Sequence, residues 1–562
     1  MIRKTLYPLI YLVATVFLIA CKGNGQTVDT TAASPQELKR KEGELIESYL
    51  QKAIADSGNT GDSLVRLFTP ALLQSFYQPD NYTVYWSQDQ QWIPAADSLI
   101  RFIRDARLYG LYPEEYHNTA LNSIWNEIGA DSLSKTVRRD ARWWTAADLL
   151  FSDALVKIIK DIKLGRLPQD SVSLRKDSIL ADQFYLDHLK EVKREGLAKM
   201  VHGLEPVARG YQLLKAAIPD FLSKADYSKT YTRIPYPEKD TRRFNAALQK
   251  RLVEEGLMAT DSIAADSAQL ANAVKLFQKK RGITVDGRAG EGTVRMLNTD
   301  DREKFARIAI SLDKYKHLPE TMPGRYIWVN TSANYMEVVD GNEVKISSKV
   351  ISGKPKTRTP LLTSAISSII TYPQWVPPPS IIQKEILPAV KKNPGYLAKK
   401  GFSLLDKDGN EVDPYTVDWS KYSKGMPYKV VQGSGDANAL GIIKFVFDNK
   451  YSVYLHDTNQ RYLFSNAMRS LSHGCVRVQE WDKLAWYILG SDSSLAGGRN
   501  TVRIDSVKSW LRSKQKKTVS LRNKVPVFIR YITCEGVKGN VVFYDDVYGE
   551  DKFLRQRFFG DK

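Results

Sequence analysis

Tyr326-Ile327-Trp328-Val329, Tyr335-Met336-Glu337-Val338-Val339 and Val344-Lys345-Ile346-Ser347-Ser348-Lys349-Val350 are three short runs rich in Val, Ile and Tyr, and Asp340-Gly341-Asn342 separates the last two. Such runs suit a pleated, half-buried surface, and Asp-Gly-Asn is the turn chemistry of a β-hairpin. The texture persists downstream, where Ile369 to Tyr372, Ile442 to Phe447, Tyr451 to Leu455 and Val502 to Ile504 read as further strands. Many short strands joined by turns predict a mostly-β domain over residues 325–510, sandwich- or barrel-like. An insertion of mixed character interrupts it at about 380–432, next to Trp375 and Gly433-Ser434-Gly435. So long an excursion reads as a functional lid or as a decorative surface loop. Residues 511–562 read as a β-rich extension.

Upstream of the strands the pattern is helical. Leu99, Ile100, Phe102, Ile103 and Ala106 recur at i, i+3, i+4 spacing within Asp97 to Leu108. Asp140 to Leu164 repeats this over several turns with Gly165 as a stop, and Phe184 to Met200 is a further run. Residues 37–230 therefore read as a helical scaffold domain whose apolar stripes are core. Tyr231 to Lys239, with Pro235 and Pro237, is a linker. A compact helical module follows at 240–300, built from Phe244 to Leu257, Asp266 to Lys280 closed by Gly282, and a short third helix from Gly292-Thr293. The fold class is multi-domain α+β.

The whole chain has 562 residues, enough for three or four domains, and 43% hydrophobic with 10% aromatic residues excludes a wholly disordered chain. Its formal charge of +19 is compatible with an ordinary basic surface, nucleic acid, anionic lipid or the acidic peptides of a bacterial wall. The first residues narrow that choice. Arg3 and Lys4 precede an apolar run from Leu6 to Ala20 that ends at Cys21, which makes residues 1–20 an export signal and 21–36 a polar tether. Export argues against nucleic acid as a partner.

Chemistry concentrates in His456-Asp457-Thr458 and Ser472-His473-Gly474-Cys475-Val476-Arg477. The chain has six histidines, and two lie within twenty residues of Cys475. A nucleophilic thiol needs an imidazole to take its proton or positive charge to hold the thiolate. His456 closes the strand Tyr451 to Leu455, a rigid place from which to aim a ring. Cys475 is expected to open a helix through Glu480 to Leu489, whose dipole would favour a thiolate. Gly474 clears space for a substrate carbonyl, and the N–H groups of Gly474 and Cys475 are candidates for an oxyanion hole. Three other readings stay open: an inert buried thiol, a zinc site shared with Cys534, and a redox pair with Cys534. No cofactor or metal is required by acyl transfer.

Several of these patterns resemble known families. Leu18-Ile19-Ala20-Cys21 is similar to the lipobox of bacterial lipoproteins, which implies lipidation at Cys21, a membrane anchor and a place on the periplasmic face of the cell envelope; a plain secretory signal is the alternative. Phe277-Gln278, Gly282, Asp286-Gly287, Gly292-Thr293 and Leu297-Asn298 resemble a three-helix peptidoglycan-binding module. Ser472-His473-Gly474-Cys475 with upstream His456 resembles the L,D-transpeptidase signature of YkuD-type domains. Ile351-Ser352-Gly353-Lys354-Pro355, Thr359-Pro360 and Asn438-Ala439-Leu440-Gly441 also match the large multi-domain branch of that family, as does Arg477 in place of the Asn found in many members. The resemblance implies that Cys475 attacks a peptidoglycan stem tetrapeptide and that His456 shuttles its proton. His473 and Gly474 would support catalysis, and Arg477, Ser472, Asp457 and Tyr454 would line the substrate. It implies 3→3 cross-links, while hydrolysis (L,D-carboxypeptidase activity) or attachment of a protein through the same acyl-enzyme, and a non-catalytic wall-binding lipoprotein, remain alternatives.

Overall fold

The computed structural model describes residues 30–132, 139–170, 172–173, 179–259, 264–281, 285–423, 425–498 and 501–560. The export signal, Cys21 and Gly282 lie outside the described residues. The chain divides into two compact units, Met1–Ala96 with Thr119–Asp153 and Asp97–Asn118 with Ala154–Lys562.

The first unit is helical. Its helix Pro35–Ala55 is capped by Ser34, which accepts the Glu37 N–H. Two buried carboxylates fix its loops. Asp148 accepts the Tyr85 and Trp86 N–H groups and the Tyr77 hydroxyl, and Asp153 accepts the N–H groups of Phe68 and Thr69. Each carboxylate thus satisfies loop donors that burial would otherwise orphan.

In the second unit the stripe Leu99, Ile100, Phe102, Ile103 and Ala106 is buried as expected. The helix Ala141–Lys163 stops just before Gly165 at φ 80°. The run from Phe184 to Met200 is two helices, Asp182–Glu195 and Leu197–Leu204, because Gly196 at φ 83° breaks the ladder between them. Helices Thr241–Glu254, Ser267–Lys280 and Glu291–Leu297 enclose a small core of Leu252, Phe277, Val294 and Leu297. Buried Gln278 accepts the N–H groups of Asp286 and Gly287 and donates to Asp286. That network explains the pairing of Phe277-Gln278 with Asp286-Gly287 in the sequence.

Nine strands form one sheet: β1 Arg325–Asn330, β2 Tyr335–Asp340, β3 Glu343–Gly353, β4 Leu362–Thr371, β5 Ile443–Phe447, β6 Leu455–His456, β7 Ser470–Ser472, β8 Val476–Val478 and β9 Lys517–Arg530. Their order is β7-β3-β8-β6-β5-β4-β9-β1-β2, and β2 also pairs with β3, so the sheet closes on itself as a barrel with β7 attached to β3. The barrel-like expectation holds. Strand β9 falls in the stretch 511–562, and its pairing with β4 and β1 makes it part of the barrel wall. Alternation decides the two faces. Ile327, Val329, Phe445, Leu455, Val476 and Val478 turn into one core, against Leu484 and Ile488 of the helix Trp481–Leu495. Tyr326 and Trp328 face the other way, into a cluster with the helices Arg209–Lys224 and Asp301–Lys316.

Two expected strands are corrected. Tyr451 to Val453 wraps around the side chain of Asn449, which accepts the N–H groups of Tyr451 and Val453, and Ser452 adopts φ 56°, so β6 begins only at Leu455. Val502 to Ile504 leads into the helix Ile504–Arg512, because Ile504, Val507 and Leu511 reach the barrel core at helical spacing. The insertion between β4 and β5 has its own core, in which Leu387, Val390, Leu397 and Leu404 surround Trp419.

Candidate active site

Strands β6 and β8 run parallel, with Leu455 opposite Val476 and His456 opposite Arg477. Leu455 and Val476 point into the core, so His456 and Arg477 share the outer face. The same alternation carries Tyr454 and Cys475 onto that face, where the Val476 N–H donates to the Tyr454 carbonyl at 3.2 Å. Lys444 on β5 pairs with His456 and joins them. Cys475 and His456 are thus diagonal neighbours across two adjacent strands.

The helix-dipole expectation for Cys475 is corrected: Val476-Arg477-Val478 is a strand, and the helix starts only at Trp481. Positive charge comes instead from side chains. Burial raises the Cys475 thiol above its ordinary value, while Tyr454, Lys444 and Arg477 act against that rise. The Cys475 thiol donates to the Ser452 carbonyl at 3.8 Å, and the Lys444 ammonium lies 3.8 Å from the centre of the Tyr454 ring.

His456 is buried, and burial, with Arg477 and Lys444 nearby, pulls its pKa down to about 3. The ring is therefore neutral at neutral pH. Its Nδ1 hydrogen-bonds the main-chain carbonyl of Asp457, an acceptor, so Nδ1 carries the proton and Nε2 keeps the lone pair. Asp457 itself offers nothing to a substrate. Arg461 holds its carboxylate bidentately at 2.6 and 3.0 Å, and the Ile442 N–H donates to it. Its part is to fix the peptide that orients His456.

The loop before Cys475 is built around Ser472 and Gly474. Ser472 donates to the Cys475 carbonyl at 2.6 Å and accepts the Gly474 N–H at 3.1 Å. This corrects two expectations: Ser472 shapes the loop from a buried position, and the Gly474 N–H is already engaged. Gly474 adopts φ 122°, a conformation that side chains rarely tolerate. Thr359 donates to the Gly474 carbonyl and Thr357 to that of Ser472. Gly353 lets this segment close up, since a Cβ there would sit 2.1 Å from the Thr357 carbonyl oxygen. The Ile351-to-Pro360 motif and the Ser-His-Gly-Cys motif, more than a hundred residues apart, thereby become one structure.

His473 is exposed, and its Nε2 lies 2.6 Å from Glu385 of the insertion. Arg477 donates to Gln460, and its Nε has no hydrogen-bond partner among the described residues. Lys444, Trp375 and Glu385 were not identified from the sequence; the one local signal was a charge at Lys444 between core residues Ile443 and Phe445. Cys534 belongs elsewhere. Its buried thiol reaches the Arg307 carbonyl and Ser311 within the cluster that contains Tyr315 and Trp328.

Three regions of the chain match known protein families. Residues 324–489 match the L,D-transpeptidase catalytic domain family YkuD, 71–218 match a scaffold domain, and 246–297 match a family described as "Putative peptidoglycan binding domain". A Haemophilus influenzae protein named "Putative L,D-transpeptidase" is 34% identical over 246 residues, which cover 44% of this chain and 48% of that protein, about half its length. An L,D-transpeptidase (Yku) from Stackebrandtia nassauensis aligns at 15% identity over 50% of this chain and 88% of its own, with a TM-score of 0.17. The Ldtfm-avibactam carbamoyl enzyme aligns at 11% identity over 49% of this chain and 86% of its own, with a TM-score of 0.15. Among the described residues no helix is long and apolar enough to cross a membrane. The chain carries a YkuD-type L,D-transpeptidase catalytic domain together with a peptidoglycan-binding domain.

Proposed function

We propose that the chain forms 3→3 peptidoglycan cross-links in the bacterial cell envelope through a thioester on Cys475. One observation carries this reading: β5, β6 and β8 set Lys444, His456, Tyr454, Arg477 and Cys475 on one outer face beside a neutral imidazole. Nε2 of His456 takes the thiol proton as Sγ attacks the carbonyl of the third residue of a donor stem. The Cys475 N–H and the Tyr454 hydroxyl stabilise the oxyanion. Collapse of the adduct expels the terminal D-Ala amine, which leaves with the proton from His456. A side-chain amine of a second stem then attacks the thioester, forms the new amide and returns the proton to sulfur. Arg477, with its unpaired Nε, is the fork for a substrate carboxylate, and the tie between His473 and Glu385 holds the insertion beside the groove.

Incubation with a carbapenem followed by intact-mass measurement tests the first half. A stoichiometric adduct on the protein that is lost in Cys475→Ala supports it, and no adduct on folded protein favours a non-catalytic wall-binding protein. Purified disaccharide-tetrapeptides then identify the acceptor. Dimers joined through third residues support cross-linking, whereas tripeptide alone points to the carboxypeptidase.

A further inference from the structure

A second concave site lies on the barrel's outer face at β1 and β2, where β10 (Cys534–Val537) and β11 (Asn540–Phe543) form a hairpin after β9. The cavity holds about 440 Å³. Tyr315 and Trp328 stack in its wall with ring centres 6.0 Å apart, and Tyr326 and Tyr335 add further aromatic surface.

Two carboxyl groups line the same space. Glu535 is nearly buried and accepts hydrogen bonds from the Tyr335 hydroxyl at 2.7 Å and the Asn330 amide at 3.0 Å. No cation is ion-paired with it among the described residues. Glu337 also lines the cavity, 3.6 Å from Arg209, whose side chain is 45% exposed to solvent. A buried carboxylate ordinarily has a cationic partner or is neutralised by a proton. Burial pushes Glu535 up to about 7 and raises Glu337 as well. The donors already present do not offset desolvation, so a cation entering the cavity would complete the site.

We propose that this cavity binds an alkylammonium group carried on a flexible apolar stem, with the ammonium between Glu535 and Glu337 and the stem against Trp328 and Tyr315. Aromatic faces attract cations through the ring quadrupole, and a desolvated site strengthens that attraction. The cavity volume suits one lysine-sized chain and not a folded partner. Arg209 and exposed Lys538 also line the cavity. This site shares no residue with the Cys475 face and stands whether or not transpeptidation is correct.

The test titrates the full chain by calorimetry with 1,5-diaminopentane and with Nα-acetyl-lysine amide, and with their neutral analogues, N,N′-diacetyl-1,5-diaminopentane and Nα,Nε-diacetyl-lysine amide. Saturable one-to-one binding of an amine, absent for its neutral analogue, supports the proposal. Glu337→Gln, which lies at a partly open position, should then weaken binding about tenfold, and Glu535→Gln by at least as much. Tighter binding of the lysine amide indicates a peptide-borne ligand, and tighter binding of the diamine indicates a free small molecule. Equal binding of charged and acetylated probes, no saturation by either amine, or affinity unchanged in Glu337→Gln overturns it.

Discussion

The barrel presents two polar stretches on its outer face, and they are electrostatic opposites. At β5, β6 and β8 the groups around the thiol are cations, Lys444 and Arg477, beside a histidine that is kept neutral. At β1, β2 and β10 they are carboxyls, Glu337 and Glu535, backed by aromatic rings and helices. Both follow from the same strand alternation, in which every second side chain leaves the core. What differs is the cover. Helices bury the second stretch and raise its acids, whereas the first is met by Gln460 and, through His473 and Glu385, by the insertion. The lesson is that one sheet can set cations beside an outward thiol in one place and raise outward acids in another, according to which side chains surround the outward residue.

Removing the sulfur should break the contrast most completely. Cys475→Ala is expected to lower acylation by at least about 10⁴-fold, to no detectable adduct by intact mass. Replacing the base comes next. His456→Gln should slow acylation by roughly 10²- to 10⁴-fold at neutral pH, and stopped-flow measurements should show the residual rate climbing with pH as the thiolate fraction grows. The unaltered enzyme should show no loss of rate between about pH 5 and 8 from protonation of His456, which is pulled down to about 3. A fall in that window contradicts the assignment of the ring as a neutral base.

The acidic stretch has its own signature. Glu535 titrates near 7 in the fold against 4.5 ordinarily, so the folded state binds its proton more tightly than the unfolded chain. That contribution to stability is present below about 4.5 and is lost as pH rises through 7, at a cost of about 3 kcal/mol. Thermal melts from pH 5 to 8 should show this decline, and it should be smaller in Glu535→Gln, where Glu42, pushed up to about 8 by burial, still contributes over the same window. A smaller effect tests the cationic side. Lys444→Met should raise the thiol further and slow its alkylation by iodoacetamide several-fold at pH 7. Smallest of all, Glu385→Gln should change acylation by about twofold, since the pair with His473 is half exposed, and hydrogen exchange should report faster opening of residues 382–390.

Much of this was legible in advance. The nucleophile motif and the upstream histidine are local patterns, and the strands β1 to β3 with their hairpin turn follow from Tyr, Val and Ile around Asp340-Gly341-Asn342. The helix expected to start at Cys475 was not there, because Val476 and Val478 pair with strands that come from distant parts of the chain. Tyr451 to Leu455 had the composition of a strand, yet the side chain of Asn449 ties most of it into a turn. Asp457 and Ser472 looked like substrate contacts, and their partners Arg461 and Gly474 turn both into supports for the site.

By itself the sequence determined which chemistry is available, because a thiol, an imidazole and a glycine in a fixed local order need no tertiary information to be recognised. It also determined which residues alternate into the core, since that pattern is written residue by residue. Only the tertiary structure decided that Lys444 rather than a helix dipole would stand beside the sulfur, that Gly353 and Thr359 would hold the Cys475 loop, and that Glu535 would lie among aromatic rings with no ion-paired cation among the described residues. Those outcomes depend on pairings between segments tens to hundreds of residues apart, and the free energy of a charge is set by whatever the fold places around it.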